Sequence, residues 1–268
     1  MYDRTRVGRR RRRSGWVATA CGSVALVLST ATGAHAEGRG DVRVVSTVVN
    51  GGADVTVGTA QRVTFPIAIT VRDNSGVKGL TRVSTFNRSN LYGFSSWMGT
   101  TCKKKSSTTS VCTATMMVDP TWIAASDDID SNRIAGLWTV NATVEANDGD
   151  YWISDSIAAY KVKRASKLTT DATPEPVAKG AKLTITGKLS RANWETLKYQ
   201  GFAGQDVKLQ YRKAGAAHYS TVKTVKTGGS GQLSTKVTVT SAGSWRWYFP
   251  GTTTTARVVS AGDAVALR

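Results

Sequence analysis

The sequence predicts an all-β chain that folds as two tandem antiparallel β-sandwich domains, and three observations favour this class. Of the 268 residues, 40% are apolar, 20% are charged and only five are proline, which indicates a packed core and excludes intrinsic disorder and collagen. The 26 glycines, with abundant valine, threonine and serine, suit short strands joined by tight turns. Apolar and polar residues alternate with a period of two in both halves of the chain, as expected of strands that bury one face.

Residues 1–36 have the pattern of a cleaved export signal. Five arginines at residues 9–13 are followed by a stretch of small and apolar residues and by an A-x-A motif that ends at Ala36. The longest uninterrupted apolar run, residues 24–28, is far shorter than the roughly 20 residues that cross a bilayer. Cys21 precedes that run instead of following it, so a lipid anchor is not expected. The arginine run leaves both the general and the twin-arginine export routes open.

Removal of this leader leaves a strongly basic chain. Residues 37–268 contain 29 Lys and Arg against 17 Asp and Glu, a net charge of +12, and such a charge speeds association with polyanions. The expected partners outside a cell are anionic cell-wall polymers or polysaccharide. No specific nucleic acid is expected, because the basic residues do not cluster on a recognition helix or in an aromatic groove. We expect a secreted monomer without a transmembrane segment, either released or associated with the cell wall.

Cys102 and Cys112 are the cysteines that remain after cleavage. An even pair in an oxidising compartment predicts a disulfide. The residues between them are polar and charged, which is typical of a hairpin tip, and closing this loop is worth about 3 kcal/mol. A redox or metal-binding thiol pair is disfavoured, because the C-x-x-C spacing and a nearby histidine are both missing.

The first predicted domain spans residues 41–165. Residues 63–71 alternate between apolar and polar and predict a strand with one buried face. Pro66 within that strand predicts an edge position or a bulge, because proline donates no ladder hydrogen bond. Residues 138–145 alternate in the same way and stop at the turn sequence NDGD of residues 147–150, which predicts a hairpin with a type I′ turn.

The second predicted domain spans residues 166–268. It begins where one strand-like pattern ends and where Pro174 and Pro176 interrupt regular structure. Short alternating runs separated by turn residues then recur to the end of the chain, which predicts a second sandwich; they are residues 183–189, 207–211, 233–239 and 245–249.

Several segments in both halves of the chain resemble those of a known group of proteins. In the first half they are residues 73–77 (DNSGV) and 135–140 (AGLWTV). In the second half they are residues 182–189 (KLTITGKL), 191–194 (RANW), 199–205 (YQGFAGQ), 245–247 (WRW) and 260–263 (SAGD). With these segments the chain resembles secreted two-domain Ig-like proteins of high-GC Gram-positive (actinobacterial) bacteria. The resemblance covers most of residues 41–268, implies two Ig-like sandwiches and supplies no catalytic residues; such proteins are sometimes labelled calcium-binding.

Catalytic residues are not predicted. His218 is the one histidine that remains after the leader, and a Ser-His-Asp triad would have to use it. It lies in a sequence typical of a hairpin loop, and the chain has no G-x-S-x-G motif. We therefore expect no enzyme, although a glycoside hydrolase would need only two carboxylates and stays an alternative. No cofactor is expected, with calcium as the one candidate ion.

A loop of acidic residues is the candidate calcium site. Three of its oxygen-bearing side chains have the spacing of positions 1, 3 and 5 of a calcium loop. Arg133 then stands where that loop needs glycine, and Thr139 where it needs glutamate, so an irregular calcium site and an ordinary acidic turn both remain open. Its candidate ligands are Asp127, Asp128, Asp130 and Asn132. Asp148 and Asp150 are better explained by the hairpin turn.

Two further groups of residues are candidate ligand contacts. Lys103, Lys104 and Lys105 form a local basic cluster that could bind anionic polymers, although such a tip is also typical of a solvated loop. Trp194 and Tyr199 could stack on sugar rings, or could pack within the domain. The sequence therefore predicts a secreted, non-catalytic Ig-like binding or structural protein that associates with anionic envelope or extracellular polymers. A calcium-binding module and a carbohydrate-binding protein are the alternatives.

Overall fold

A computed structural model describes residues 36–91, 93, 95–125 and 131–268. The predicted export signal lies almost entirely outside these residues, as do Asp127, Asp128 and Asp130. No helix of the described residues is long and apolar enough to span a membrane. The prediction of an all-β chain is confirmed, because antiparallel sheets dominate both halves.

The first sandwich consists of two facing sheets. One sheet has the order β1-β9-β8-β5, with β3 added parallel to β9, and the other has the order β2-β4-β7-β6. Its strands are β1 (Ala36–Arg39), β2 (Arg43–Val49), β3 (Val55–Val57), β4 (Val63–Arg72), β5 (Val77–Asn87), β6 (Ser95–Lys104), β7 (Thr109–Val118), β8 (Gly136–Ala146) and β9 (Tyr151–Arg164). A short helix, α1 (Pro120–Ala124), and two 3-10 turns, Asn50–Gly52 and Ser131–Ile134, lie between the strands.

The second sandwich is built in the same way from shorter strands. β12 pairs with β10, β11, β13 and β16, and the facing sheet has the order β15-β14-β17-β18, with β19 also paired to β17. The strands are β10 (Ser166–Leu168), β11 (Asp171–Thr173), β12 (Lys182–Asn193), β13 (Lys198–Gly201), β14 (Asp206–Lys213), β15 (Ser220–Lys226), β16 (Gln232–Thr238), β17 (Gly243–Phe249), β18 (Val258–Val259) and β19 (Asp263–Val265).

Alternation along β4 produces the predicted buried face. Phe65, Ile67 and Ile69 point into the core, but the strand lies between β2 and β7 and is not at an edge. The pairing is also regular at Pro66, since the register shift of β2–β4 lies at Val44 and Ser46, so neither the predicted edge position nor the predicted bulge is found there. The proline is tolerated because β2 pairs with β4 only as far as Ile67, so Pro66 lies just beyond the end of that ladder.

The β8–β9 connection is the predicted hairpin, but its turn type differs from the prediction. The amide of Ala146 donates to the carbonyl of Asp150 at 2.8 Å. Gly149 has φ of +90° and Asp148 has no positive φ, whereas a type I′ turn needs positive φ at both central residues. The turn therefore requires glycine at one position alone.

The two sandwiches have separate hydrophobic cores. The first is formed by the inward faces of β4, β7, β8 and β9, and the second by those of β12, β14 and β17. Two residues of β12 and its following turn, Ala192 and Trp194, belong to the first core although they lie in the second half of the sequence. The first core is therefore completed by a segment of the second sandwich.

The predicted disulfide is confirmed. Cys102 on β6 and Cys112 on β7 are directly paired across the hairpin, with 3.9 Å between their Cα atoms. Cys112 is fully buried in the first core. The bridge thus connects the exposed hairpin tip, with its lysines, to the packed sheet.

Helix α1 begins with a capped and ion-paired aspartate. The carboxylate of Asp119 accepts hydrogen bonds from the amide of Thr121 at 2.9 Å, from the Thr121 hydroxyl at 2.7 Å and from Nε of Arg62 at 2.8 Å. The Thr121 hydroxyl contributes most to a lowered pKa of Asp119, and the Thr121 amide and Arg62 contribute too, while burial acts in the opposite direction. These contacts stabilise the ionised form.

Substituting Asp119 by alanine should reduce the free energy of unfolding by about 1–2 kcal/mol at pH 7, because the helix loses its N-cap. A carboxylate whose pKa is lowered by folding contributes stability above its unfolded pKa, about 3.9, and loses it as pH falls through the folded pKa. The difference between wild type and variant should therefore narrow in acid. Urea unfolding at pH 7 and at pH 2.5 measures it, and an equal difference at both would contradict this role.

Candidate functional site

The outer face of the sheet β15-β14-β17 presents a group of polar and aromatic side chains. Val207 and Leu209 of β14 and Trp247 of β17 point inward and are fully buried, so the residues between them point outward. Cross-strand pairing places Lys208 beside Tyr248 and Gln210 beside Arg246. Together with two neighbours they form what we call the Arg–Tyr face: Lys208, Gln210, Arg212, Tyr219, Arg246 and Tyr248.

Tyr219 organises the two arginines of this face. It follows the β14–β15 loop, and its hydroxyl donates to Oγ of Ser244 on β17 at 2.8 Å. The guanidinium carbon of Arg246 lies 3.7 Å from the centre of its ring, and that of Arg212 lies 4.9 Å away. Such cation–π contacts hold planar guanidinium groups in defined positions.

Arg246 keeps part of its hydrogen-bonding capacity. Its Nε donates to Oε1 of Gln210 at 2.8 Å. Within the part of the chain that the structure describes, its two Nη groups make no hydrogen bond, and neither arginine of the face forms an ion pair with a carboxylate. The arrangement can therefore accept an oxyanion, because a guanidinium fork matches the geometry of carboxylate and phosphate.

A groove of about 530 Å³ opens beside the Arg–Tyr face. Arg212 and Lys213 contribute its charges, and small residues such as Ala214, Ala242 and Ala264 form much of its lining. Because Arg212 belongs to both features, the groove and the face form one continuous surface.

Positive charge is concentrated in the sandwich that carries this surface. Residues 166–268 contain 15 Lys and Arg against five Asp and Glu, a net charge of +10. Residues 37–165 contain 14 against 12, a net charge of +2. A polyanion is therefore attracted mainly to the second sandwich.

The predicted lysine cluster lies on the other sandwich. Lys103, Lys104 and Lys105 are all exposed at the end of β6 and in the turn that follows. The backbone of this turn contacts the β4–β5 turn, which contains the acidic residue Asp73: the amide of Asp73 donates to the carbonyl of Thr108 at 2.8 Å. The lysines are thus accessible to a polyanion, but they lie at an end of the molecule that also carries negative charge.

Trp194 cannot stack on a ligand in this structure, and that hypothesis is wrong. Its side chain is fully buried in the first core. Its indole Nε1 donates to the carbonyls of Val57 and Gly58 at 3.3 and 3.0 Å. The ring therefore has no face open to solvent.

Tyr199 is partly covered as well. It packs against the first core, and Nζ of Lys167 lies 4.0 Å from the centre of its ring. Partial burial raises the pKa of its phenol. Tyr199 thus has a packing role, and its use as a sugar platform stays a hypothesis.

Asn132 is the one described member of the predicted calcium loop. Its side-chain oxygen accepts from the amide of Trp194 at 3.1 Å, and its Nδ2 donates to Oδ1 of Asn193 at 2.9 Å. The side chain therefore attaches the first sandwich to the β12–β13 hairpin. The proposal that this loop binds calcium with Asp127, Asp128 and Asp130 stays untested.

Sequence reasoning missed the Arg–Tyr face. The alternation of Trp245, Trp247 and Phe249 identified the buried side of β17, and this interpretation is confirmed. The same alternation places Arg246 on the outer side, which was the available signal. Its convergence with Arg212 and Tyr219 depends on strand register, which the sequence does not provide.

No protein-family model matches the chain, and no curated protein matches it. Among solved structures it is similar to the D00-D0 domain of intimin, with 14% identity over 82% of this chain and 99% of that one at a TM-score of 0.27. The D0-D1 domain of intimin is 12% identical over 83% and 98%, also at a TM-score of 0.27. A protein from Corynebacterium diphtheriae that is described as membrane-anchored is 15% identical over 88% and 54%, again at 0.27.

The predicted fold class, an all-β chain of two tandem antiparallel β-sandwiches, is confirmed by the sheets described above. No partner or activity follows from the likenesses to solved structures.

Replacing Trp194 by alanine should lower the free energy of unfolding by about 3–5 kcal/mol, because a fully buried aromatic ring is removed from the first core. Urea unfolding followed by far-UV circular dichroism measures the loss. Trp194→Phe is the matched control: it keeps an aromatic ring but removes the donor to Val57 and Gly58, and should cost less. A loss below about 1 kcal/mol for the alanine variant would show that the ring does not hold the two sandwiches together.

Proposed function

We propose that this chain is a secreted, non-catalytic Ig-like protein that binds anionic polymers of the cell envelope or the extracellular medium through its Arg–Tyr face. The observation that carries the proposal is the stacking of Arg212 and Arg246 on Tyr219, without a carboxylate partner in the described part of the chain. Two ordered guanidinium groups on one face of a sheet suit repeated phosphate or carboxylate groups.

The charge distribution supports a polyanion as the partner. With a net charge of +10 in the second sandwich, long-range attraction brings a polymer to the surface, and the arginines provide directional contacts. The adjoining groove gives room for a chain to continue past the face. Attraction of this kind weakens at high salt, since exposed charges are screened.

An extracellular location is supported by two features of the chain. Residues 1–36 have the pattern of an export signal, and Cys102 and Cys112 form a disulfide. Disulfides of this structural kind persist in oxidising compartments.

The double variant Arg212→Gln and Arg246→Gln should bind isolated cell walls about 30-fold more weakly at low salt, because two lost charged hydrogen bonds at about 1 kcal/mol each amount to about 2 kcal/mol. Co-sedimentation of the purified protein across a salt series measures the affinity. The matched control is Lys182→Gln with Lys236→Gln, which removes two exposed charges from the opposite sheet of the same sandwich. If both double variants lost the same affinity, net charge alone would explain the loss, and this result would contradict a specific binding site at the Arg–Tyr face.

The triple variant Lys103→Ser, Lys104→Ser and Lys105→Ser tests the hairpin tip in the same assay. We expect its salt-sensitive retention to fall, but by less than that of the arginine double variant, although it removes three charges instead of two. The exposed lysines are flexible point charges that solvent and salt screen. A larger loss of retention than that of the arginine variant would place the binding surface on the first sandwich. Unaltered retention would show that the hairpin tip does not contribute to binding.

A further inference from the structure

One end of the first sandwich gathers three connections that are far apart in the sequence. They are the β1–β2 corner at residues 40–42, the β4–β5 turn at residues 73–76 and the β8–β9 turn at residues 147–150. The amide of Asn147 donates to the carbonyl of Gly76 at 3.0 Å, and the amide of Asp41 donates to Oδ2 of Asp150 at 2.9 Å. The three connections therefore form one surface.

Four carboxylates meet on that surface. One oxygen from each of Asp41, Asp73, Asp148 and Asp150 can be chosen so that all four atoms lie within 4.8 Å of one another. Carboxylates this close repel one another unless a cation lies between them.

Asp73 provides an independent indication of a ligand. It is only 1% exposed, and its Oδ1 accepts from the amide and hydroxyl of Ser75 at 2.7 and 2.5 Å. Its Oδ2 is buried and has no hydrogen-bond partner among the described residues. A buried carboxylate oxygen without a partner is costly, because it has lost water and gained nothing in return.

Hydrogen bonds from the turns hold the other carboxylates in place. Oδ1 of Asp148 accepts from the amide of Asp150 at 3.1 Å, and Oδ2 of Asp150 accepts from the amide of Asp41. In the described part of the chain, one oxygen of Asp148 and one of Asp150 thus make no protein hydrogen bond. Each can serve as a ligand.

Among the described residues, no basic side chain forms an ion pair with the cluster, including the exposed lysines 103–105 at the same end of the sandwich. Arg39 and Arg43 both lie two residues from Asp41. Nη1 of Arg43 donates to the carbonyls of Gly40 and Val42 at 2.9 and 2.6 Å, and Arg39 forms no ion pair with a carboxylate of the described residues. Arg72 lines a groove next to Asp41. Four ion pairs of the described residues involve carboxylates outside the cluster, those of Asp54, Asp119, Glu145 and Asp206.

We infer that Asp41, Asp73, Asp148 and Asp150 form a calcium-binding site that joins the three connections at this end of the first sandwich. A donor set made only of oxygens suits a hard cation and not zinc, which prefers nitrogen and sulfur. Calcium accepts six to eight oxygens in irregular geometry, whereas magnesium demands a near-ideal octahedron. Ligands from three separate turns suit the more tolerant ion. The site is distinct from the predicted loop at Asp127 to Asn132 and from the Arg–Tyr face.

Thermal unfolding with calcium tests the site in the full chain. After treatment with EGTA, the melting temperature is measured in EGTA, in 5 mM calcium and in 5 mM magnesium. At an affinity typical of extracellular modules, calcium should raise the melting temperature by roughly 2–9 °C, with a smaller rise in magnesium. Titration calorimetry should show saturable binding of calcium at one site.

Variants decide whether the four aspartates are the ligands. Asp148 is exposed, and the variant Asp148→Asn keeps the Oδ1 acceptor of the turn while removing the charge. The variant Asp73→Asn removes the buried charge. Both variants should lose most of the calcium-dependent rise in melting temperature. Asp155→Asn is the matched control, an exposed aspartate of β9 outside the cluster, and should keep the full shift. The absence of calcium binding in the wild type, a shift retained in Asp148→Asn, or an equal shift in magnesium would each overturn the inference. A folding failure of Asp73→Asn would leave the decision to Asp148→Asn.

Discussion

The burial of Trp194 is the interaction on which the arrangement of the molecule depends. This side chain comes from the second sandwich but lies in the core of the first, where its indole donates to carbonyls at the end of β3. Asn132 and Arg164 of the first sandwich bind the backbone of the same segment. A ring buried from one sandwich into the other fixes their relative orientation, because its removal would open a cavity in a close-packed core.

The junction of the two sandwiches lies between the four clustered carboxylates and the Arg–Tyr face. The acidic end of the first sandwich lies at the start of β9, at Tyr151, and the junction lies at its end, at Arg164. Since a strand of this length rises about 3.3 Å per residue, the carboxylates are roughly 40 Å from the link to the basic second sandwich. That separation from the link is several times the screening length of about 8 Å at physiological salt. A calcium ion at one end and a polyanion on the other sandwich could therefore bind independently.

The lysine tip and the Arg–Tyr face differ more in how firmly their side chains are held than in their charge. Lys103, Lys104 and Lys105 place three charges on an exposed hairpin tip, whereas Arg212 and Arg246 are held by the ring of Tyr219. Ordering a long side chain before binding reduces the conformational entropy that binding must remove. This is the physical reason for assigning recognition to the arginines and long-range attraction to the charge as a whole.

Local sequence patterns by themselves determined the all-β class, the hairpin at Gly149 and the bridge between Cys102 and Cys112, because each depends on neighbouring residues. They also determined which face of β17 is buried, since a strand alternates with a period of two. Only the tertiary structure decided that Trp194 is a core residue of the other sandwich, that Arg212 meets Arg246 across β14 and β17, and that Asp73 joins the aspartates of two distant turns. These contacts depend on strand register and on the packing of sheets, which bring together residues that no local pattern relates.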